Sequence, residues 1–325
     1  MRVRIVVWGA LATMLALGPT LAGAQDYPSK PIRLIVPFPP GGTADIVARV
    51  VSDKMSQDLG ATLIVENKPG GAGGGVGTVE IARSAPDGYT IGIATVGTLG
   101  TAPATSPKPL YDPAKDFSYI SNIATMPMLL AVGPSLGKTT LADVLAQAKA
   151  KPGRLTFASG GTGGVAHLMG ARFEVAAGVR LTHVPYRGAN PALNDVAGGQ
   201  VDMIFDALAS SSPFLQSGRI HAVAVSGDHR VAALPDTPTF AQAGLPAVST
   251  GAWYGLIGPA DMAPAVVDRL YKAVRAALDS EAVRQRLEKL DTQAIGNTPD
   301  AYRKQVVDEL AAWRELASSQ NIVVD

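Results

Sequence analysis

An apolar run that breaks into two prolines and two glycines, then resumes with helical spacing, leaves few folds open. Residues 31–37 (PIRLIVP) have the make-up of a buried strand. The strand stops at Pro39-Pro40-Gly41-Gly42, because proline has no amide hydrogen for a sheet ladder and neither residue type suits a helix interior. Apolar residues return at Ile46, Val47, Val50, Val51, Met55 and Leu59, the spacing of a helix with one buried face. The same succession recurs over 155–177. There a strand at 155–159 enters Gly160-Gly161-Thr162-Gly163-Gly164, and a helix follows through about Ala177. Two such units predict two similar α/β lobes with a cleft between them, a common seat for a small ligand.

The rest of the chain keeps the alternation. Strands are expected at 62–65, 89–94, 118–123, 128–132, 181–185, 203–206 and 221–226. Helices are expected at 78–83 behind the glycine run 70–77, at 141–150, at 190–197, and near 265–279 and 299–318; 95–109 reads as a loop. Strands alternating with helices predict parallel sheets covered on both faces. Lys plus Arg number 28 and Asp plus Glu 27, with no basic cluster, which argues against nucleic acid as a partner. Cysteine is absent, which removes disulfides, thiol nucleophiles, iron–sulfur clusters and cysteine zinc sites.

The first residues address the chain. Met1, Arg2, Val3 and Arg4 carry two positive charges, 5–21 is mostly apolar, and Ala22-Gly23-Ala24 is a small-x-small site. This is the pattern of a secretory signal peptide over 1–24, cleaved after Ala24. The apolar run is short for a span of about 20 residues, and Pro19 interrupts it. No cysteine follows the site, so no lipoprotein anchor is expected. The product is expected to be exported and soluble, where NAD and ATP are scarce.

Both glycine turns sit where ligands of parallel sheets bind, beyond strand carboxyl ends and at helix N-termini. There, unpaired amides and a partial positive charge attract anions, and glycine admits close backbone approach. In the first turn Phe38 is expected to wall the pocket, with Gly41, Gly42 and Thr43 as donors. In the second, Ser159, Gly161, Thr162 and Gly163 take that part. Such a set suits a small carboxylate held by neutral donors. Asp45 is read equally as a dipole partner and as a loop anchor or partner of a ligand amino group. His167 is read as a core or surface histidine ahead of a ligand donor. Asp206, at a strand end, is expected to point at the same cleft, to orient a loop or simply to be solvated.

These stretches carry a resemblance. YPSKPIRLIVPFPPGGTADIVAR (27–49), VENKPGGAGGGVG (65–77), APDGYT (85–90), LTFASGGTGGVAHL (155–168), HVPYRGANPALNDVAGGQVDMIFD (183–206), LPDTPTFAQAGLP (234–246) and WYGLIGPA (253–260) follow in order along nearly the whole chain after the leader. Together they resemble the substrate-binding proteins of tripartite tricarboxylate transporters, the Bug family of periplasmic receptors. The resemblance implies an α/β fold of the periplasmic binding protein type II, with two lobes that close like a flytrap. It implies one lobe of 26–126 plus 248–325, another of 127–247, and two crossings between them. It further implies an organic-anion ligand (an amino acid, a dicarboxylate or an aromatic acid) held between 38–45 and 159–167. Thr95, Thr98 and Asp206 are weaker carry-overs. A periplasmic location, delivery to the membrane components of such a transporter, a monomeric state and no catalysis follow from the same source, with no cofactor or metal expected. Family members often place a serine in or beside the second loop before the histidine; here the stretch is GGTGGVAH.

The alternative is a secreted enzyme using the glycine loops as an oxyanion or phosphate site. For an oxidoreductase, 161–166 fits G-x-G-x-x-A, but the next strand ends at Pro185-Tyr186-Arg187 with no acid for a ribose, and Val76 breaks the other glycine run. For a hydrolase there is no G-x-S-x-G elbow, and His167, His183, His221 and His229 show no metal-ligand spacing.

Overall fold

The buried strand of the first unit becomes the middle of a sheet. The computed structural model describes residues 27–249 and 251–324, so the expected leader over 1–24 lies outside the described residues. The strands are β1 (Ile32–Val36), β2 (Leu63–Asn67), β3 (Thr90–Thr95), β4 (Phe117–Met126), β5 (Met128–Val132), β6 (Thr156–Ser159), β7 (Thr182–Pro185), β8 (Met203–Ala207), β9 (His221–Val225), β10 (Ala252–Pro259) and β11 (Gln293–Ala294). One sheet is ordered β11-β4-β10-β3-β1-β2 and the other β7-β6-β8-β5-β9.

β1 runs parallel to β2 and β3, and its apolar residues are buried on both faces; Arg33 alone interrupts the run, half-buried and paired with Glu66 and Glu80. Ile32, Leu34 and Val36 meet Val47, Val50, Val51 and Met55 of the helix Thr43–Leu59, with Leu270 and Val274 of the helix Pro264–Asp279 in the same core. Ile35 faces the opposite core, built on Tyr302, Val306 and Trp313 of the helix Pro299–Ser319. In the second sheet Leu130, Phe157 and Phe205 pack with Val144, Met169 and Phe173, from the helices Leu141–Ala150 and Val165–Ala177. Leu129, Ala158 and Ile204 pack with Leu193 and Val196 of the helix Ala189–Ala197 on the other side. Each sheet thus carries helices on both faces, in a two-lobed mixed α/β fold.

The expectation of purely parallel sheets is overturned. β10 is antiparallel to β3 and β4, and β5 is antiparallel to β8 and β9. The cause is the crossing: only Pro127 separates β4 in one sheet from β5 in the other, so the chain enters the second lobe as a strand and returns as β10. The two crossings lie side by side. Thr125 Oγ1 donates to the Ala252 carbonyl at 3.0 Å, Ser226 Oγ accepts from the Met128 amide at 2.9 Å, and a Cβ on Gly251 would stand 2.9 Å from the Met126 carbonyl.

Other elements escape periodicity. The loop expected over 95–109 contains a π-helical turn, Gly97–Thr101, and a short helix, Ala102–Thr105. The helix after the glycine run begins at Gly75 and not at Thr78. The helices Leu208–Gln216 and Glu281–Glu288 were not expected; the first contains Pro213 and three serines. Nor was β10, where a Cβ on Gly255 would run into the Tyr302 ring and one on Gly258 into Met262. Among the described residues, no helix is long and apolar enough to cross a membrane.

Gly255 gives a test of this packing. Gly255→Ala must push the buried Tyr302 ring away from β10, so it lowers stability by about 1–3 kcal/mol. The urea midpoint falls while the slope of the transition is unchanged.

Candidate functional site

Beyond β1 the helix Thr43–Leu59 starts at Gly42, an N-cap whose φ of −77° and ψ of 166° are ordinary and which offers no side-chain cap. Its first-turn amides therefore receive no capping oxygen from the cap residue. The loop before it is fixed from beneath. The buried Asp45 carboxylate accepts from the Gly41 amide at 2.9 Å, from Arg49 Nε at 3.0 and 3.1 Å and from Asn67 Nδ2 at 3.0 Å. Asn67 Nδ2 also donates to the Phe38 carbonyl at 3.1 Å. Burial alone would raise the Asp45 carboxyl, but the hydrogen bonds from Arg49, Gly41 and Asn67 outweigh it and hold the group below its ordinary range. Of the readings open for Asp45, the geometry is that of a loop anchor. Gly41, at φ +81°, has nothing within 4 Å of where a Cβ would stand.

A cleft of about 660 Å³ opens over this turn, lined by residues 38–44, 95–97 and 252–254 of the first lobe and by Val165 of the second. The walls are mostly apolar, with Phe38, Val96, Val165, Trp253 and Tyr254, and none of these lining residues carries a charge. Tyr254 is nearly buried, which pushes its hydroxyl up to about 12, against a hydrogen bond with the Thr43 side chain. Trp253 Nε1 donates to Glu309 Oε2 at 2.8 Å. Trp253 and Tyr254 were not singled out from the sequence; an aromatic pair opening a strand at the cleft was the available signal.

Of the expected residues the structure gathers Phe38, Gly41, Gly42, Thr43 and Thr95 around the cleft, with Asp45 beneath. Thr98 is not among the lining residues. It is fully buried and closes a reciprocal turn, accepting from the Thr95 amide at 2.9 Å while its own amide donates to Thr95 Oγ1 at 3.2 Å. The second glycine turn reaches the cleft only through Val165. Ser159 is fully buried, exchanging a hydrogen bond with His183 Nε2 at 2.7 Å and donating to the Gly161 carbonyl at 3.1 Å. Ser159 and His183 have the spacing of a nucleophile and base, with the hydroxyl buried against the Gly161 carbonyl. Thr162 is exposed, and Gly161 has φ +152° with only the Tyr186 carbonyl, at 3.7 Å, near a notional Cβ. At Gly163, φ +74°, a Cβ would strike Val324 and stand 3.2 Å from Thr105 Oγ1, so the missing side chain serves contact with the first lobe.

His167 supports the loop. Its Nδ1 accepts from the Gly163 amide at 3.0 Å, and its ring stacks on His183 with centroids 3.8 Å apart and planes at 7°. Phe157 stacks on His183 from below, at 4.8 Å. Burial lowers both imidazoles; His183, lowered further by the neighbouring His167, falls to about 4. Of the readings open for Asp206, burial overturns the solvated strand end: it is not among the lining residues of the cleft and accepts from Ser210 Oγ at 2.6 Å and Ser211 Oγ at 3.0 Å in the first turn of the helix Leu208–Gln216. Burial raises its carboxyl, and these serines partly offset that.

A larger groove, about 980 Å³, lies against the crossings on a different set of residues, including Arg275, Asp279, Arg284 and Asp291. Its three arginines are already engaged: Arg275 and Arg284 both bond to Asp279, Arg275 also to the Gly296 carbonyl and Arg284 to the Leu278 carbonyl, while Arg230 bonds to Gln242 Oε1 and the Pro235 carbonyl. The smaller cleft, with an uncapped helix start on its wall, is the better candidate.

Comparison with known proteins finds a family and a fold for the chain. The sequence pattern described as tripartite tricarboxylate transporter family receptor, TctC, matches residues 47–322. The protein BugT of Bordetella pertussis is 32% identical over 291 residues, covering 89% of this chain and 89% of that one. A solved structure described as a periplasmic transporter is 43% identical, with a TM-score of 0.78 over 92% of this chain and 100% of the other. An R. palustris protein solved with adipate is 33% identical, with a TM-score of 0.78 over 92% of this chain and 99% of that one.

Two acid-side predictions separate the loops. Asp45→Ala costs about 1–3 kcal/mol at neutral pH, because the Gly41 amide, Arg49 and Asn67 lose a shared acceptor. A depressed carboxyl stabilises above its unfolded value and loses that contribution as pH falls below it, so the variant's acid limb is flatter below 3.8. The lowered histidines act in a higher window: the native chain loses stability as pH falls from 6.5 toward about 4. Urea titrations across both windows, with His183→Phe showing a weaker loss in the upper one, check both.

Proposed function

The chain belongs to the tripartite tricarboxylate transporter receptor family, and we propose that it captures a small organic carboxylate in the 660 Å³ cleft between its lobes. The observation that carries this reading is the uncapped start of the helix Thr43–Leu59 on the cleft wall. First-turn amides and the aligned peptide dipoles favour an anion there without a cationic side chain. Thr43 and Thr95 add hydroxyls, and Phe38, Val96, Trp253 and Tyr254 offer an apolar surface to the body of the molecule.

On this proposal the lobes, 26–126 with 248–325 and 127–247, swing about the paired crossings. Gly161 and Thr162 of the second lobe then approach the captured acid. Closure requires higher affinity for the closed state than for the open one. The product of cleavage after Ala24 works in the periplasm as a monomer. It carries out no catalysis and presents its cargo to the membrane components of a tripartite tricarboxylate-type transporter. The relative solved with adipate supports the class of ligand.

A thermal-shift screen of the chain from Gln25 onward tests this. Adipate, malate, benzoate and glutamate are each run beside the corresponding amide. At a hundredfold excess over Kd, a bound acid adds about 2.7 kcal/mol, a shift of several degrees, while its neutral amide adds none. Gly42→Asp and Gly161→Asp each place a carboxylate beside the anion position, and each weakens the acid found in the screen by about tenfold or more. Stabilisation by NAD with no response to any acid would reject the assignment.

A further inference from the structure

The helix Val165–Ala177 follows the second glycine turn, yet its faces belong to different lobes. Met169 and Phe173 sit in the core of the second sheet. Leu168 and Ala171 sit in the first-lobe cluster with Trp313, Leu316, Ala317 and Ile322. Next to Ala171, Arg172 lays its guanidinium over the Trp313 ring at 3.8 Å. One turn earlier on the helix of Trp313 stands Glu309. Its Oε1 accepts from Gln305 Nε2 at 3.0 Å and its Oε2 from Trp253 Nε1 at 2.8 Å. Trp253 is itself a wall of the ligand cleft.

We propose that Glu309 is a positioning residue: its charge and its bond to Trp253 couple the wall of the cleft to Arg172, and so to the helix that carries the second glycine turn. The carboxylate fixes the indole edge on the first lobe. The same carboxylate attracts the guanidinium of the second lobe across Trp313. The electrostatics agree. Burial raises Glu309 and lowers Arg172, and each partner's charge works against that shift in the other. The buried Tyr302 hydroxyl also feels the Glu309 charge. The arrangement joins residues from three distant stretches, and it lies outside the ligand cleft except at Trp253.

The coupling is measurable without any ligand, so its outcome is independent of the carboxylate assignment. The measurement is amide hydrogen exchange over 163–170, with near-ultraviolet circular dichroism for the indoles. Glu309→Gln retains an acceptor for Trp253 and removes the charge. The indole band is retained, and exchange over 163–170 speeds by about tenfold. Arg172→Met retains bulk on Trp313 and removes the other charge, with the same acceleration. The double variant is no faster than either single one, and Arg172→Lys restores most of the protection. Additive accelerations, or wild-type exchange in folded Glu309→Gln, overturn the proposal. If Glu309→Gln does not fold, Arg172→Met against Arg172→Lys decides: equal exchange in the two rejects a role for charge, and rescue by lysine upholds it.

Discussion

The site depends on a helix start that its own sequence does not cap. Gly42 offers no oxygen to the first turn of Thr43–Leu59, and the nearest carboxylate, Asp45, is turned back to the Gly41 amide, Arg49 and Asn67. The anion that a helix N-terminus favours is thus not supplied by the turn itself. Asp45 instead holds the loop rigid from the core side. A backbone site of this kind is accurate only if the loop does not move, and the Phe38 carbonyl and Gly41 amide are both tied down.

The second turn is held by a different device. Its support is the stacked pair His167 and His183 above Phe157, bonded to the Gly163 amide and the Ser159 hydroxyl. Neutral imidazoles suit this role, because His167 Nδ1 must accept a hydrogen bond. Two charged rings face to face would repel. One lobe therefore anchors its turn with an ionised carboxylate, the other with uncharged aromatic stacking, and the two respond to acid at different pH.

Much of the fold could be read from spacing. Residues 31–59 carry strand, break and helix in one stretch, and Leu141–Ala150 matches its expected bounds because a capping box at Thr140 and Asp143 marks the start. The alternation was legible as two α/β lobes, and the glycine turns as breaks between strand and helix. The antiparallel strands were not, because strand direction at the crossing is decided by Pro127 linking two sheets and not by local pattern. β10 was hidden by Gly255 and Gly258, whose role is to admit Tyr302 and Met262. The bond from Trp253 to Glu309 spans 56 residues and leaves no local trace. Ser159, Gly163, His167 and Asp206 were read from the sequence as ligand-binding; the hydrogen bonds and packing they make here go to the scaffold.

The paired crossings have a mechanical consequence. A single proline between β4 and β5 lies beside the returning strand, with Thr125 bonded to the Ala252 carbonyl and the Met126 carbonyl against Gly251, and the two make short tethers side by side. Two tethers set abreast bend easily together but resist torsion, so relative movement of the halves is confined to roughly one degree of freedom. Under the proposed closure, such a pair of tethers brings the halves to the same outer contour whichever acid is held.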